Sequence, residues 1–144
     1  MSGNADELAI RNLAARYIDA VNRYHQDDWS ATWSETASWN LLGMEVEGRD
    51  NIVQLWVGAM STFDFALMML NSGTIEVDGD TATGRWYVTE HIKPKEGETN
   101  ITLGVYDDSY CREEGQWLFA RRHYNVMYQG AADYSGNYTP YRPD

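Results

Sequence analysis

The chain has 144 residues, a formal net charge of −11 and an apolar fraction of 43%. These values predict one globular domain over residues 1–144, with its core over about 7–128 and a tail over 129–144. The acidic balance argues against nucleic acid and membrane partners, because both bind basic patches. The single cysteine, Cys111, excludes an internal disulfide, and the first residues lack the pattern of a secretory signal, so a cytoplasmic protein is expected.

The first predicted element is a helix from Asp6 to about His25. Apolar residues recur along it at spacings of three and four, which indicates one buried face. That face consists of Ile10, Leu13, Ala14, Tyr17, Ile18 and Val21. Asn22 continues the same stripe, so its amide is expected to point inward. Tyr17 has two interpretations, as a core residue with a satisfied hydroxyl or as a functional group.

Shorter elements follow the first helix. Asp27 and Asp28 resemble an N-cap for a short second helix that carries Trp29 and Trp33 one turn apart. The next predicted elements are a strand over 37–46, a third helix after 49–50 and an extended segment over 65–77, interrupted at 71–73.

The strongest strand signal is Thr81–Ile92, TATGRWYVTEHI, which follows a DGD turn. Because side chains alternate along a strand, one face carries Ala82, Gly84, Trp86, Val88, Glu90 and Ile92. Glu90 is the only charged residue of that face, and an unpaired buried charge is costly. Two interpretations stay open: Glu90 is the ion-pair partner of an inward Arg122, or it is a carboxyl tuned by burial for acid/base chemistry.

Two more strands are predicted over 101–112 and 116–128, after a polar loop over 93–100. Helices followed by long antiparallel strands predict an α+β fold, a cone-shaped barrel whose curved antiparallel sheet wraps around the long N-terminal helix. Six tryptophans and ten tyrosines suit an aromatic-lined cavity. Its candidate wall residues are Trp39, Leu41, Trp86, Tyr106, Arg122 and Tyr124.

Alternation along the last strand places Arg122 and Tyr124 toward the cavity and puts Trp117, Phe119 and His123 on the opposite face. The three histidines are not at metal-ligand spacing, and no glycine-rich phosphate loop follows a strand, so neither a metal nor another cofactor is expected. The tyrosine-rich tail after Gly130 is either a disordered end or a flap over the cavity mouth.

The phrases EGRDNI, TATGRWYVTEHI, VYDDSYCREEGQW and LFARRHY, in this order of elements, resemble the SnoaL-like branch of the nuclear-transport-factor-2-like fold. The resemblance covers about Glu7 to Tyr128. It is closest to the group of bile-acid dehydratase, scytalone dehydratase and hexachlorocyclohexane dehydrochlorinase. It implies a cofactor-free lyase that forms a homo-oligomer, a trimer rather than a dimer.

The resemblance also implies roles for four positions. The family's helix tyrosine falls on Tyr17 and its acidic strand residue on Glu90, while its catalytic aspartate and histidine fall on Asn22 and Asn71. An Asp–His pair abstracts a proton, whereas an amide can only position and hydrogen-bond. Tyr17 and Glu90 are therefore the acid/base candidates, and Asn22 and Asn71 are candidate positioning groups.

The predicted function is elimination of water, or another small group, from a hydrophobic hydroxylated ring compound, with Arg122 or Tyr124 stabilising developing negative charge. A first alternative is a diarylpropane lyase that releases formaldehyde from a lignin-derived aromatic dimer through a quinone methide, because an aromatic cavity suits that substrate. A second alternative is a small-molecule-binding domain without catalysis, since fold does not determine function.

Overall fold

The computed structural model describes residues 2–133, 137, 139, 142 and 143, and only the backbone of the first of these. The helices are α1 (Ser2–Arg23), α2 (Gln26–Ser30) and α3 (Arg49–Met60). The strands are β1 (Trp33–Leu41), β2 (Met44–Glu47), β3 (Phe63–Asp78), β4 (Thr81–Pro94), β5 (Asn100–Glu113) and β6 (Gln116–Ala131). None of the described helices has the length and hydropathy of a membrane span.

The described strands form one curved sheet in the order β2-β1-β6-β5-β4-β3. The predicted α+β class and curved sheet are confirmed, and the barrel is an open one with edges at β2 and β3. Neighbouring strands are antiparallel except β1 and β6, which run parallel. The β1–β6 pair is the one departure from the predicted antiparallel sheet among the described strands, because the chain leaves β2 through α3, forms the β3–β6 meander and returns beside β1.

Helix α1 packs the predicted apolar stripe into the core of the molecule. All six residues of that stripe are buried, which confirms the 3.6-residue periodicity. The helix ends at Arg23 rather than at His25, because Tyr24 adopts a left-handed conformation with φ 54°. His25 instead caps α2: its Nδ1 accepts the backbone N–H of Asp28 at 3.2 Å. The prediction that Asp27 and Asp28 form the cap is therefore wrong.

The sequence pattern placed Trp33 in the second helix, and this prediction is wrong. Trp33 instead begins β1. Its ring still packs against Trp29, with centroids 5.6 Å apart, so the two indoles share one buried cluster from different elements. The predicted strand over 37–46 is divided by a turn at Leu42 and Gly43, both of which have positive φ. Glycine adopts that conformation at little cost, which favours the reversal at this point.

Bulges in the long strands change which side chains face inward. The predicted interruption at 71–73 is a register shift between Leu70 and Ser72 and not a break, because β3 continues through these residues. In the β5–β6 pair, a shift beside Ser109 and Tyr110 reverses the alternation. Trp117 and Phe119 are therefore buried together with Arg122 and Tyr124, and the prediction that they occupy opposite faces is wrong.

Three glycines on neighbouring strands leave room for aromatic rings of the inner face. The ring of Trp86 lies against Gly73, and the hydroxyl end of Tyr110 lies against Gly84. A Cβ at Gly104 would lie 2.5 Å from Cε1 and 2.6 Å from the hydroxyl oxygen of Tyr124. Each ring therefore leans across the preceding strand of the meander, and at Gly104 this geometry carries Tyr124 toward β4.

Candidate active site

A cavity of about 280 Å³ opens between the inner face of the sheet and helices α1 and α3. Four of the predicted wall residues line it, namely Trp39, Leu41, Tyr106 and Tyr124. Tyr17 and Glu90 also line it, as both acid/base assignments require. The remaining walls are mainly apolar and include Trp56, Met60, Phe63, Ala66, Met68 and Ile92.

Glu90 places a carboxyl in this apolar cavity, as the alternation along β4 predicted. Burial raises the pKa of Glu90 above its ordinary value, and interaction with the Tyr124 hydroxyl opposes that rise. The described residues give Glu90 no salt bridge. A carboxyl in this setting exchanges its proton nearer to neutral pH than an exposed one, which suits general acid or base work.

Three tyrosines surround the carboxyl with neutral hydroxyl groups. Burial is the main cause of a raised pKa at Tyr17, Tyr106 and Tyr124, so all three stay protonated at neutral pH. The hydroxyls of Tyr17 and Tyr106 are 3.5 Å apart. The Tyr124 hydroxyl is buried and forms no well-formed hydrogen bond with any described residue. The nearby charge of Glu90 raises the pKa of this hydroxyl further. It can therefore donate to a ligand oxygen beside Glu90.

Replacing Gly104 by Ala is expected to push the Tyr124 ring away from Glu90. The added Cβ overlaps the ring and its hydroxyl, and overpacking of this kind costs about 1–3 kcal/mol. Urea unfolding measures that loss. Gly58→Ala is the matched control, because a Cβ there meets nothing within 4 Å and alanine favours the α3 helix. Equal stability of G104A and wild type would contradict the packing described above.

Arg122 does not line the cavity and does not pair with Glu90, so its prediction as a wall residue and ion-pair partner is wrong. Its guanidinium binds the buried Asp108 through bonds of 2.8 and 3.1 Å. The same group lies 3.6 Å from the ring centroid of Tyr106 and 4.5 Å from that of Tyr17. Arg122 therefore supports the tyrosines from behind instead of facing a ligand.

Trp86 is also absent from the cavity wall, contrary to prediction. Its indole N–H donates to the Tyr110 hydroxyl at 2.9 Å, and that hydroxyl donates to Asp108 at 2.8 Å. Trp86 thus belongs to a buried hydrogen-bonded chain that ends on the Arg122 ion pair. Trp86 is buried and faces inward, as predicted, but it lies nearer the start of β4 than Glu90 and Ile92, which line the cavity.

Asn22 holds α1 against the edge of the sheet. Its Nδ2 donates to the Met68 carbonyl at 2.8 Å, and its Oδ1 accepts the Met68 N–H at 2.8 Å. Strand β3 is an edge strand, so this amide takes the place of a further strand and satisfies two backbone groups. The prediction that Asn22 is an inward positioning group is therefore wrong, because it is half-buried, does not line the cavity and bonds to the sheet edge through both its amide oxygen and its amide nitrogen.

Asn22→Asp is expected to destabilise the fold. A carboxylate cannot donate to the Met68 carbonyl, and its charge would face that oxygen. The expected loss is about 1–3 kcal/mol at pH 7, which urea unfolding measures. Asp19→Asn on the exposed side of α1 is the control, since Asp19 is 63% exposed and its partner Arg23 keeps a second ion pair, with Asp28 at 2.7 Å. A gain of stability in N22D would overturn the structural role.

Asn71 lies outside the cavity, so the prediction that it is an inward positioning group is wrong. Its side chain is exposed, and its Nδ2 donates to the Thr89 hydroxyl at 2.9 Å. The bulge between Leu70 and Ser72 turns this residue to the outer face of the sheet. A one-residue shift is enough to exchange the faces, and the interruption that the sequence shows at 71–73 marks its place.

The family of this chain follows from a model of the SnoaL-like domain that matches residues 4–123. The chain belongs to the SnoaL-like family. An uncharacterized protein of Mycobacterium tuberculosis is 26% identical over 123 residues, which are 82% of this chain and 83% of the relative. The recognition made from the sequence is thereby confirmed.

Solved structures share the SnoaL-like fold at lower identity. Hexachlorocyclohexane dehydrochlorinase LinA-type3 from Novosphingobium barchaimii has a TM-score of 0.84 at 19% identity, with 94% of this chain and 95% of the other covered. A protein of Novosphingobium aromaticivorans described as a scytalone dehydratase has a TM-score of 0.81 at 20% identity, with 96% and 93% covered. At these identities the likeness establishes a common fold.

Three polar cavity residues of this SnoaL-like chain were not identified from the sequence. Asn100, Thr102 and Gln129 line the cavity next to Glu90. Thr102 pairs with Glu90 across the β4–β5 hairpin, and Gln129 pairs with Thr102 across β5–β6. Equal spacing around the predicted 93–100 loop would have placed Leu103 opposite Glu90, one residue away from the observed partner Thr102.

No histidine lines the cavity among the residues that the structure describes. The same part of the chain contains no group of three or more His, Cys, Asp or Glu side chains that could hold a metal ion. Of the predicted tail, residues 129–131 complete β6. Tyr134, Tyr138 and Tyr141, on which the flap interpretation depends, lie outside the described residues.

Proposed function

We propose that this protein is a cofactor-free lyase that eliminates water, or another small group, from a hydrophobic hydroxylated ring compound. The observation that carries the proposal is the Glu90 carboxyl, held without an ion-pair partner in an apolar cavity beside neutral tyrosine hydroxyls. The SnoaL-like fold, which dehydratase and dehydrochlorinase structures share, supports the same class of reaction.

In the proposed elimination, ionised Glu90 removes a proton from the carbon next to the one that bears the hydroxyl. The C–H electrons form the new double bond, and the C–O bond breaks. The departing oxygen takes a proton from the Tyr124 hydroxyl and leaves as water. The proton on Glu90 then passes to the Tyr124 phenolate, which restores both groups. Tyr17, with its neighbour Tyr106, is the second candidate donor to the leaving oxygen.

A second candidate is favoured by the absence of histidine from the described cavity wall. A phenolic diarylpropane diol needs no strong base at carbon: Glu90 removes the phenolic proton, the benzylic hydroxyl takes a proton from the Tyr124 hydroxyl and leaves as water, and a quinone methide forms. The Tyr124 phenolate then accepts the proton of the neighbouring hydroxymethyl group, whose C–C bond breaks and releases formaldehyde. The electron pair of that bond returns to the ring and gives a stilbene phenolate, which takes back the proton from Glu90.

Incubation of the purified protein with hydroxylated aromatics, diarylpropane diols, sterols and alicyclic alcohols tests both candidates, with products identified by mass spectrometry. Loss of water alone is the expected result and supports a dehydratase. Loss of water and formaldehyde supports the diarylpropane lyase. A compound that raises the melting temperature but gives no product would replace both with a binding domain that lacks catalysis.

We further propose a homo-oligomer, with a trimer favoured over a dimer, in the cytoplasm. One cross-strand row on the outer face of the sheet contains Met69, Leu103 and Tyr128, which are 49%, 38% and 52% exposed in the single chain. Apolar exposure of this kind favours association. Light scattering coupled to size-exclusion chromatography is expected to give three times the 16.5 kDa chain mass, and a monomer would contradict the proposal.

A further inference from the structure

One wall of the cavity carries a polar row that crosses three strands. Glu90 on β4 lies directly opposite Thr102 on β5, which lies opposite Gln129 on β6. Directly paired side chains of a sheet have Cβ atoms roughly 4.5–5.5 Å apart, so the carboxyl, the hydroxyl and the amide are immediate neighbours. Thr102 is buried, and Gln129 stands at the exposed end of the row.

Hydrogen bonds connect two members of this row, Gln129 and Thr102, to Asn100 and orient the three side chains. The Gln129 amide Nε2 donates to the Thr102 hydroxyl at 3.1 Å, and that hydroxyl donates to Oδ1 of Asn100 at 3.3 Å. The described hydrogen bonds therefore leave Oε1 of Gln129 as a free acceptor and Nδ2 of Asn100 as a free donor. A hydroxyl group complements both, since it donates one hydrogen bond and accepts another.

We infer that Asn100, Thr102 and Gln129 form a recognition site for an oxygen of the substrate and select hydroxylated rings over plain hydrocarbon rings. The inference rests on the proposed function for its choice of substrate class. A hydrocarbon would displace water from these amides without replacing its hydrogen bonds, and such unpaired groups penalise binding. The apolar walls contact the ring, and Asn100, Thr102 and Gln129 bind its hydroxyl next to Glu90.

Equilibrium dialysis with racemic 1-tetralol and tetralin, which differ by one hydroxyl, tests this recognition without turnover. Wild type is expected to bind 1-tetralol about tenfold more tightly than tetralin, the equivalent of one or two hydrogen bonds. Asn100→Leu and Gln129→Leu are each expected to reduce that ratio to about twofold or less. Thr102→Val, which keeps the shape but removes the hydroxyl that orients both amides, is expected to do the same.

Thr89→Val is the matched control, because Thr89 lies next to Glu90 in sequence but hydrogen-bonds Asn71 on the outer face. It is expected to keep the wild-type ratio, and far-UV circular dichroism checks that each variant is folded. A tenfold ratio that survives in all three cavity variants would assign recognition to Glu90 alone and overturn the inference. A wild-type ratio near one, or no binding of either compound, would also overturn it.

The proposed function can fail separately from this inference. If the compound panel gives no product while the cavity variants still abolish the preference for 1-tetralol, the lyase proposal falls and the recognition site stands. If products form but the variants keep the preference, the lyase proposal stands and the assignment of Asn100, Thr102 and Gln129 falls.

Discussion

Glu90→Gln is expected to lower kcat/KM by about 10²- to 10⁴-fold on whichever compound of the panel is turned over, because an amide cannot accept or return the proton. Binding of the same compound should change little, since glutamine preserves the shape of the side chain. Initial-rate kinetics measure kcat/KM, and equilibrium dialysis measures the affinity for the compound. Glu76→Gln, at an exposed position of the adjacent strand β3, is the control and should keep wild-type turnover.

The stability of the same variant distinguishes a tuned carboxyl from an ion-pair partner. The pKa of Glu90 lies above the ordinary value of 4.5, so the folded chain binds this proton more tightly than the unfolded chain. The contribution of Glu90 to the free energy of unfolding is therefore most favourable below the ordinary pKa and declines as the pH rises through the raised one. Glutamine does not titrate, so E90Q avoids that decline.

Urea unfolding from pH 4.5 to pH 8 measures this difference between E90Q and wild type. The two proteins should be close in stability at the acidic end, and E90Q should become relatively more stable as the pH rises. A variant that is less stable than wild type at pH 8 would mean that Glu90 has a charged partner in the fold. The catalytic interpretation of a desolvated carboxyl would then fail.

The inward direction of Glu90 was predictable because strands β4 and β5 pair without a bulge over that stretch. Simple alternation holds there from Thr81 to Ile92. The partner of Arg122 was not predictable in the same way, since Asp107 and Asp108 are adjacent and only the register decides which one faces inward. The β4–β5 register makes that decision, because it places Asp108 opposite Gly84 of the inner face and Asp107 opposite Arg85 of the outer face.

The three polar cavity residues illustrate the same limit. The predicted 93–100 loop would have paired Glu90 with Leu103, so sequence reasoning misses the observed partner Thr102 by one residue. Gln129 was also out of reach, because the β5–β6 pair contains two register shifts, and each moves the expected partner by one residue. The prediction for Asn71 was wrong for the same kind of reason, because a register shift in β3 lies at that residue. The resemblance of the quoted phrases identified the family, and periodicity identified the helix face and the carboxyl, whereas strand register decided the rest of the cavity wall.

Removal of either partner of the Asp108–Arg122 pair is expected to produce the largest loss of stability in the molecule. Both side chains are almost completely buried, with 0% and 1% exposure. Burial lowers the pKa of Arg122, but the charge of Asp108, its hydrogen bonds and the nearby Tyr17 and Tyr106 together outweigh that effect, so the net direction is upward and the guanidinium stays charged. Asp108→Leu or Arg122→Met alone would leave one buried charge without its partner, at a cost of about 3–5 kcal/mol.

The adjacent pair Arg85–Asp107 is the control for this prediction. Its atoms are 3.3 Å apart, but its side chains are 57% and 53% exposed, so Asp107→Leu should cost less than about 1 kcal/mol.

In the double variant D108L/R122M no charge remains unpaired, and its loss of stability should be smaller than the sum of the single losses by at least about 1 kcal/mol. Urea unfolding of the four proteins measures this coupling. Additive losses, or equal losses for Asp107→Leu and Asp108→Leu, would mean that the buried pair does not act as a unit beneath Tyr17 and Tyr106.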